Sequence, residues 1–283
     1  MLKHTFLHLP GIGCKIERKL WSQGFLCWDD CLRKSNVLSL LRSDTRDSLA
    51  EGLSESREQL SAGNARYFEE RLSSSEAWRL YRDFGDSVAF VDIETTGLWA
   101  GIDAITVVGL FNGQETKAFI KGVNLDEFAE EIQKYRLMVT FNGKRFDVPF
   151  LRYSFGELPD HLAHLDLRYP LRSLGYRGGL KRIEAHLGLE REGALKEVEG
   201  FMAVLLWREH VHGNPTALDT LVRYNLEDVV NMQYLADVAY NQAVLQLPIK
   251  VDILPVHPKY EVDTAFDPEL IRYLRRSILN IRW

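Results

Sequence analysis

The chain has 283 residues, of which 46% are hydrophobic and 27% charged, and its net charge is −5. That balance belongs to a globular protein of one large domain, or a medium domain with attachments, and excludes wholesale disorder and a collagen-like architecture. No run approaches the ~18–20 consecutive apolar residues of a membrane-spanning helix. The start, MLKHTFLHLPGIG, lacks a signal peptide's apolar segment and cleavage site, so a cytoplasmic protein without membrane partners is expected.

In chain order, residues 1–35 read as short elements around LPGIG (residues 9–13), followed by the helical CKIERKLWSQG and carrying Trp21 and Trp28. Residues 36–86 read as a helical arm with a solvated Ser- and charge-rich face, Asn64 being one helix cap. From residue 87 the pattern changes. SVAFVDIETTGL, DAITVVGLFNG and ETKAFIKG predict three strands, the last two joined by a tight turn at Asn112-Gly113. NLDEFAEEIQKY predicts an amphipathic helix capped by Asn124. RLMVTFNG predicts a buried strand, FDVPFLRYSFG a helix, HLAHLDL a short strand and LKRIEAHLG a helix. ALDTLVRYNLEDVVNMQYLADVAYNQAVLQ predicts one long helix. Three hairpin-linked strands followed by alternating helix and strand give an α/β protein with a mixed sheet flanked by helices, over 87–245. Residues 246–283 hold four prolines and predict an extended tail closed by a basic helix.

Charge is segregated along the chain. Residues 1–35 hold six Lys/Arg against three Asp/Glu, and residues 269–283 hold four Arg against one Glu. Basic ends around an acidic middle suit a polyanion gripped by the ends and cations held by the middle, although plain surface scatter gives the same totals.

Asp92 and Glu94 sit two apart near the end of a strand, hence on one face. Two carboxylates there repel and desolvate badly, and a divalent cation is the usual compensation; a Lys or Arg partner is the other. Asn142 to Asp147 spells N-G-K-R-F-D at a strand-to-helix junction and adds a carboxylate on a first helical turn. Tyr224 and Asp228 lie four apart in YNLED, on one helix face.

The ordered set of D-x-E, N-x-x-x-F-D and Y-x-x-x-D resembles the tyrosine-containing (DEDDy) branch of the DEDD 3′–5′ exonuclease superfamily. TFNGKRFDVPFL and LRSLGYRGGLKRIEAHLG are most similar to bacterial predicted exonucleases of the YprB type. The resemblance covers roughly 87–240. It implies a ribonuclease H-like sheet of five to six strands with a small helical N-terminal attachment, and a two-metal-ion (Mg²⁺ or Mn²⁺) 3′–5′ exonuclease. Single-stranded nucleic acid, DNA more than RNA, would be cut from its 3′ end. Asp92 would bridge both ions, Glu94 and Asp228 would hold the ion that activates water, and Asp147 would act on the second ion through water. Tyr224 would orient the attacking water. Thr95, Leu98, Asn142 and Phe146 would receive the terminal nucleotide, core packing being the alternative for Leu98 and Phe146. A nucleic-acid-binding module with a vestigial site and a structure-selective endonuclease are the competing readings.

Other signals are weaker. LPGIG with Lys15 and Lys19 is similar to the hairpin of a helix-hairpin-helix motif and offers a phosphate contact, with its first helix short or absent; a structural turn is the equal alternative. Arg177, Lys181 and Arg182 in GYRGGLKR suggest a phosphate-contact loop. Asp166 reads as structural. Cys14, Cys27 and Cys31 lack a standard zinc spacing and read as buried reduced thiols.

Overall fold

A computed structural model describes residues 1–33, 43–189, 191, 193–198 and 200–281. The expected strands appear as β1 (Val88–Thr95), β2 (Ile105–Phe111), β3 (Thr116–Ile120), β4 (Leu137–Thr140) and β5 (Ala163–Asp166). They form one five-stranded sheet in the order β3-β2-β1-β4-β5. β2 is antiparallel to both β1 and β3, whereas β4 is parallel to both β1 and β5. The β2–β3 hairpin turns at Asn112, whose side chain accepts from the Gln114 and Glu115 amides at 2.9 Å, and at Gly113, whose φ of 90° suits glycine.

Strand alternation splits the interior in two. Val88 and Phe90 of β1, Val107 and Phe111 of β2, and Val139 of β4 join the core that contains the 29-residue helix Ala217–Leu245. Ala89, Val91, Ile93, Val108, Leu110 and Met138 pack on the other face, against Phe128, Phe150 and Leu151. By the same alternation Asp92 and Glu94 face the long helix. The parallel β1–β4 pairing covers only Val88 to Phe90. The carboxyl end of β1 therefore runs on beside a crevice, where α/β sheets place their sites.

The N-terminal segment is fastened to this body. Trp28 and Phe6 are fully buried in the core shared with the long helix. Glu17 accepts from Thr5 Oγ1 (2.6 Å) and the Phe6 amide (2.8 Å) and is ion-paired with Arg79 at 3.3 Å, all buried. After Gly11 (φ 76°), LPGIG leads into helix Cys14–Ser22, on which Lys15 and Lys19 are exposed. The element before it is a three-residue turn, Leu2–His4. The basic helix closing the chain is Pro268–Ile281, with Leu270, Ile271 and Leu274 buried and Arg272, Arg275 and Arg276 exposed.

Four expectations are corrected. Residues 124–135 form short helical turns rather than one helix, because Asn124 turns back on β3. Its Oδ1 accepts from the Ile120 amide at 2.8 Å and its Nδ2 donates to the Ala118 carbonyl at 3.2 Å. Helix Gly200–Val211 was not foreseen. Lys181 and Arg182 belong to helix Leu180–His186, leaving only Arg177 of that trio on the loop. Cys14 is exposed and Cys27 half-buried; only Cys31 is buried. The part of the helical arm at 36–42, the last two residues of the 1–35 segment, and Arg282 lie outside the described residues.

Candidate metal centre and substrate cavity

Asp92 and Glu94 arrive on β1, Asp147 opens helix Asp147–Phe155 after β4, and Tyr224 and Asp228 come from the long helix. All five line one cavity of about 600 Å³, together with Thr95, Leu98, Asn142 and Phe146. One carboxylate oxygen from each of Asp92, Glu94 and Asp228 lies within 4.8 Å of the others. Asp147 lines the same cavity outside that tight trio.

Geometry around Asp92 depends on a glycine. Asp92 pairs with Gly109 across β1 and β2. A Cβ on Gly109 would meet Asn225 Oδ1 at 2.0 Å. The bare backbone lets Asn225 reach the strand, where its Nδ2 donates to Asp92 Oδ2 at 2.9 Å and to the Asp92 carbonyl at 3.2 Å. Asp166 organises the other wall. It accepts from the backbone amides of Asn142 (2.8 Å), Lys144 (3.1 Å) and Arg168 (3.1 Å), consistent with a structural role. This loop holds Asn142 at φ 68°, the one positive φ outside glycine among the described residues.

The electrostatics are those of crowded anions. Burial, then Asp228 and Asp147, pushes Asp92 and Glu94 well above the usual carboxylate range. Burial raises Asp147 to about 7. Burial, then the Asp228 charge, pushes the Tyr224 phenol well above its ordinary value, so it stays protonated at neutral pH and can donate. Two cations flank the ring: Lys181 Nζ lies 4.6 Å from its centroid and the Arg191 guanidinium carbon 5.7 Å. Burial lowers Lys181 to about 8.

The donor set fits hard divalent cations. It offers carboxylate oxygens without His or Cys. Asp147 Oδ1 is buried with no hydrogen-bond partner, while Asp228 Oδ1 meets the Arg191 guanidinium alone. A cation would satisfy Asp147 Oδ1 and would relieve the repulsion that raises Asp92 and Glu94.

Leu98 is 73% exposed, which excludes core packing for it, while Phe146 is half-buried and packs against the Phe150 ring at 5.1 Å. Lys181 is half-buried with its Nζ over the Tyr224 ring, but neither it nor the exposed Arg177 and Arg182 lines the acidic cavity. Lys15 and Lys19 are likewise absent from its lining. Sequence reasoning missed Asn225, Arg191 and the four residues by which helix Gly200–Val211 completes the cavity, Gly200, Phe201, Val204 and Arg208. Arg208 is exposed and forms no ion pair among the described residues.

The family model described as RNase_H superfamily matches residues 89–240, more than half of the chain. The chain belongs to the ribonuclease H superfamily. No curated protein matches it. Among solved structures it is similar to the family B DNA polymerase of the hyperthermophilic archaeon Pyrobaculum calidifontis, at 18% identity and TM-score 0.40 over 56% of this chain; it spans 24% of the polymerase's length. It is also similar to Brucella melitensis NrnC with bound Mg2+, at 20% identity and TM-score 0.37 over 57% of this chain and 76% of that one. The same protein bound to pGG gives 21% identity and TM-score 0.33 over 58% of this chain and 84% of NrnC. At such scores these likenesses assign no activity to this ribonuclease H-like chain. No described helix is long and apolar enough to cross a membrane.

Proposed function

We propose that this ribonuclease H-like chain is a metal-dependent 3′–5′ exonuclease of the DEDDy branch, closest to the YprB type, acting on single-stranded nucleic acid, DNA in preference to RNA. The observation that carries this reading is the convergence of Asp92, Glu94, Asp147, Tyr224 and Asp228 on one cavity of about 600 Å³. Bound there, Mg²⁺ or Mn²⁺ would supply a water of lowered pKa and neutralise charge on the scissile phosphate.

The chain's own residues do the rest. Asp92 would be the ligand shared by the ions, Glu94 and Asp228 would help to hold one, and Asp147 would act on the other through water. Tyr224 keeps its proton and orients the attacking water as a donor. Exposed Leu98 and half-buried Phe146 sandwich the terminal base while Thr95 and Asn142 hold its sugar and phosphate. Arg208, exposed in the cavity lining, meets the strand's charge. Lys15 and Lys19, exposed and outside the cavity lining, draw in the polyanion non-specifically.

The reading is tested with matched DNA and RNA oligonucleotides labelled at either end, and with circular single-stranded DNA, in Mg²⁺ or Mn²⁺. It requires mononucleotides released from the 3′ end and an intact circle. A cut circle means an endonuclease, and inertness with all substrates means a vestigial site.

A further inference from the structure

A separate cavity of about 260 Å³ is lined by Lys181, Glu184 and Ala185 of helix Leu180–His186, by Arg191 and by Lys196 of the turn Gly193–Glu197, among others. It shares no lining residue with the acidic cavity. Two of its residues nevertheless reach the acidic side. Lys181 Nζ lies 4.6 Å from the Tyr224 ring centroid, and Arg191 is ion-paired with Asp228.

Among the described residues this lining carries three cations against one carboxylate. That carboxylate is already occupied. Glu184 accepts from Arg191 Nε and Nη2 at 2.8 Å each and from Asn231 Nδ2 at 3.0 Å. Lys181 Nζ and Arg191 Nη1 are left buried with no hydrogen-bond partner. The Arg191 side chain is only 3% exposed, so bulk water does not serve it. Buried donors without acceptors are costly, and more so on two neighbouring cations that repel each other. A small anion with several acceptor oxygens answers both costs at once. The volume lies below the ~300–1,000 Å³ of sites for drug-sized ligands, which suits one tetrahedral oxyanion better than a nucleotide.

We propose that this cavity binds a phosphate-sized tetrahedral oxyanion as an effector, outside the path of the nucleic acid, and that Arg191 couples it to the carboxylate centre. One anion oxygen accepts from Arg191 Nη1 and another from Lys181 Nζ. The anion's charge offsets the guanidinium, so a divalent cation held by Asp228 meets less repulsion. By linkage the cation tightens the anion by the same factor. The anion site itself stands on Lys181 and Arg191; the coupling rests on Asp228 holding a metal ion, as proposed above.

The test titrates inorganic phosphate calorimetrically into the full chain with chelator present, for wild type, K181M and A185E, with melting temperatures recorded. Ala185 is exposed on its helix, and a glutamate there brings a competing carboxylate to the cavity without touching Arg191. Phosphate affinity should fall at least ~10-fold in K181M, the loss of one charged hydrogen bond, and as far in A185E. A nucleoside 5′-monophosphate titrated alongside separates two sources: equal affinity identifies a nucleotide's monoester, and weaker affinity the free ion. No saturation of wild type by ~10 mM phosphate overturns the site, as does an affinity within twofold of wild type in either folded variant. Mn²⁺ is then titrated by electron paramagnetic resonance with and without phosphate. Wild-type Mn²⁺ affinity should rise ~5-fold or more with phosphate, and the gain should vanish in K181M, in which complexation of Mn²⁺ by free phosphate is the same. No gain, or an equal gain in both proteins, overturns the coupling. Should wild type bind no Mn²⁺, the metal-centre reading fails, while the titration in chelator still decides the anion site.

Discussion

Arg191 is ion-paired with Asp228 while directing its two hydrogen bonds, at 2.8 Å each, to the carboxylate of Glu184. Both Arg191 and Glu184 are buried, and Asn231 adds a third bond to Glu184 at 3.0 Å. A guanidinium thus stands where a cation bound by Asp228 would feel it. Like charges a few ångströms apart weaken binding of a divalent ion by an amount set by local polarity. Removing Arg191 alone would strand a buried Glu184. The double variant Glu184→Gln/Arg191→Met should therefore bind Mn²⁺ about tenfold more tightly than wild type, by electron paramagnetic resonance titration. Unchanged or weaker binding would mean that the guanidinium does not oppose the ion.

Asn225 and Gly109 make a second test. Gly109→Ala places a methyl within 2.0 Å of Asn225 Oδ1, inside a fully packed interface. Overpacking of this kind costs ~1–3 kcal/mol. It should also tilt Asp92 by displacing its donor. Asn225→Ala should spare most of the stability and slow turnover ~10- to 100-fold, the usual effect of removing a group that orients a ligand. If Asn225→Ala turns over at the wild-type rate, the amide merely packs.

Much of this site was legible in the sequence. Asp92 and Glu94 share a face because strands alternate, and Tyr224 and Asp228 because helices repeat near four. Both periods survive without tertiary information. Asn225 was not legible, since its role depends on Gly109 from another strand. Arg191 was not, because nothing in its local sequence marks a residue that reaches Asp228 from outside the three motifs. Asn124 misled for a similar reason: a capping side chain and one that turns back on its own strand look identical in sequence. The helix of LKRIEAHLG was legible and places Lys181 and Arg182 on Leu180–His186; what its sequence did not mark was that Lys181 faces the Tyr224 ring.

Tyr224→Phe separates orientation from metal holding. Loss of the hydroxyl should slow hydrolysis by roughly 10- to 10³-fold with Mn²⁺ affinity unchanged. A fall in affinity matching that of Asp228→Ala would make Tyr224 a ligand instead.

Acid should loosen the N-terminal segment through His8. This ring is buried between Trp28 and Phe68, both at 5.4 Å, with Nε2 2.9 Å from Ser56 Oγ. Burial, helped by Arg71 and Arg79, depresses it from 6.5 to about 3. The folded chain then binds fewer protons than the unfolded chain between about 3 and 6.5, so stability falls as pH drops through that window. His164, also depressed to about 3, acts in the same direction. Chemical denaturation at pH 7 and pH 4.5 should show a smaller loss in His8→Gln than in wild type, the difference reaching at most ~1.4 kcal/mol per pH unit. Equal losses would mean that His8 titrates normally in the folded chain.

The central claim is that the carboxylates around Asp92 hold the metal ions of a 3′-end nuclease. Its most direct test is the rate at which purified Asp92→Asn releases mononucleotides from a 5′-labelled oligonucleotide in saturating Mn²⁺, beside wild type and with both melting temperatures recorded. Release should be at least ~10³-fold slower, because the ligand proposed to be shared by both ions would be lost. It also predicts an equal or higher melting temperature without added metal, because carboxylate repulsion is relieved. A folded Asp92→Asn that still degrades the strand from its 3′ end at near wild-type rate would contradict it.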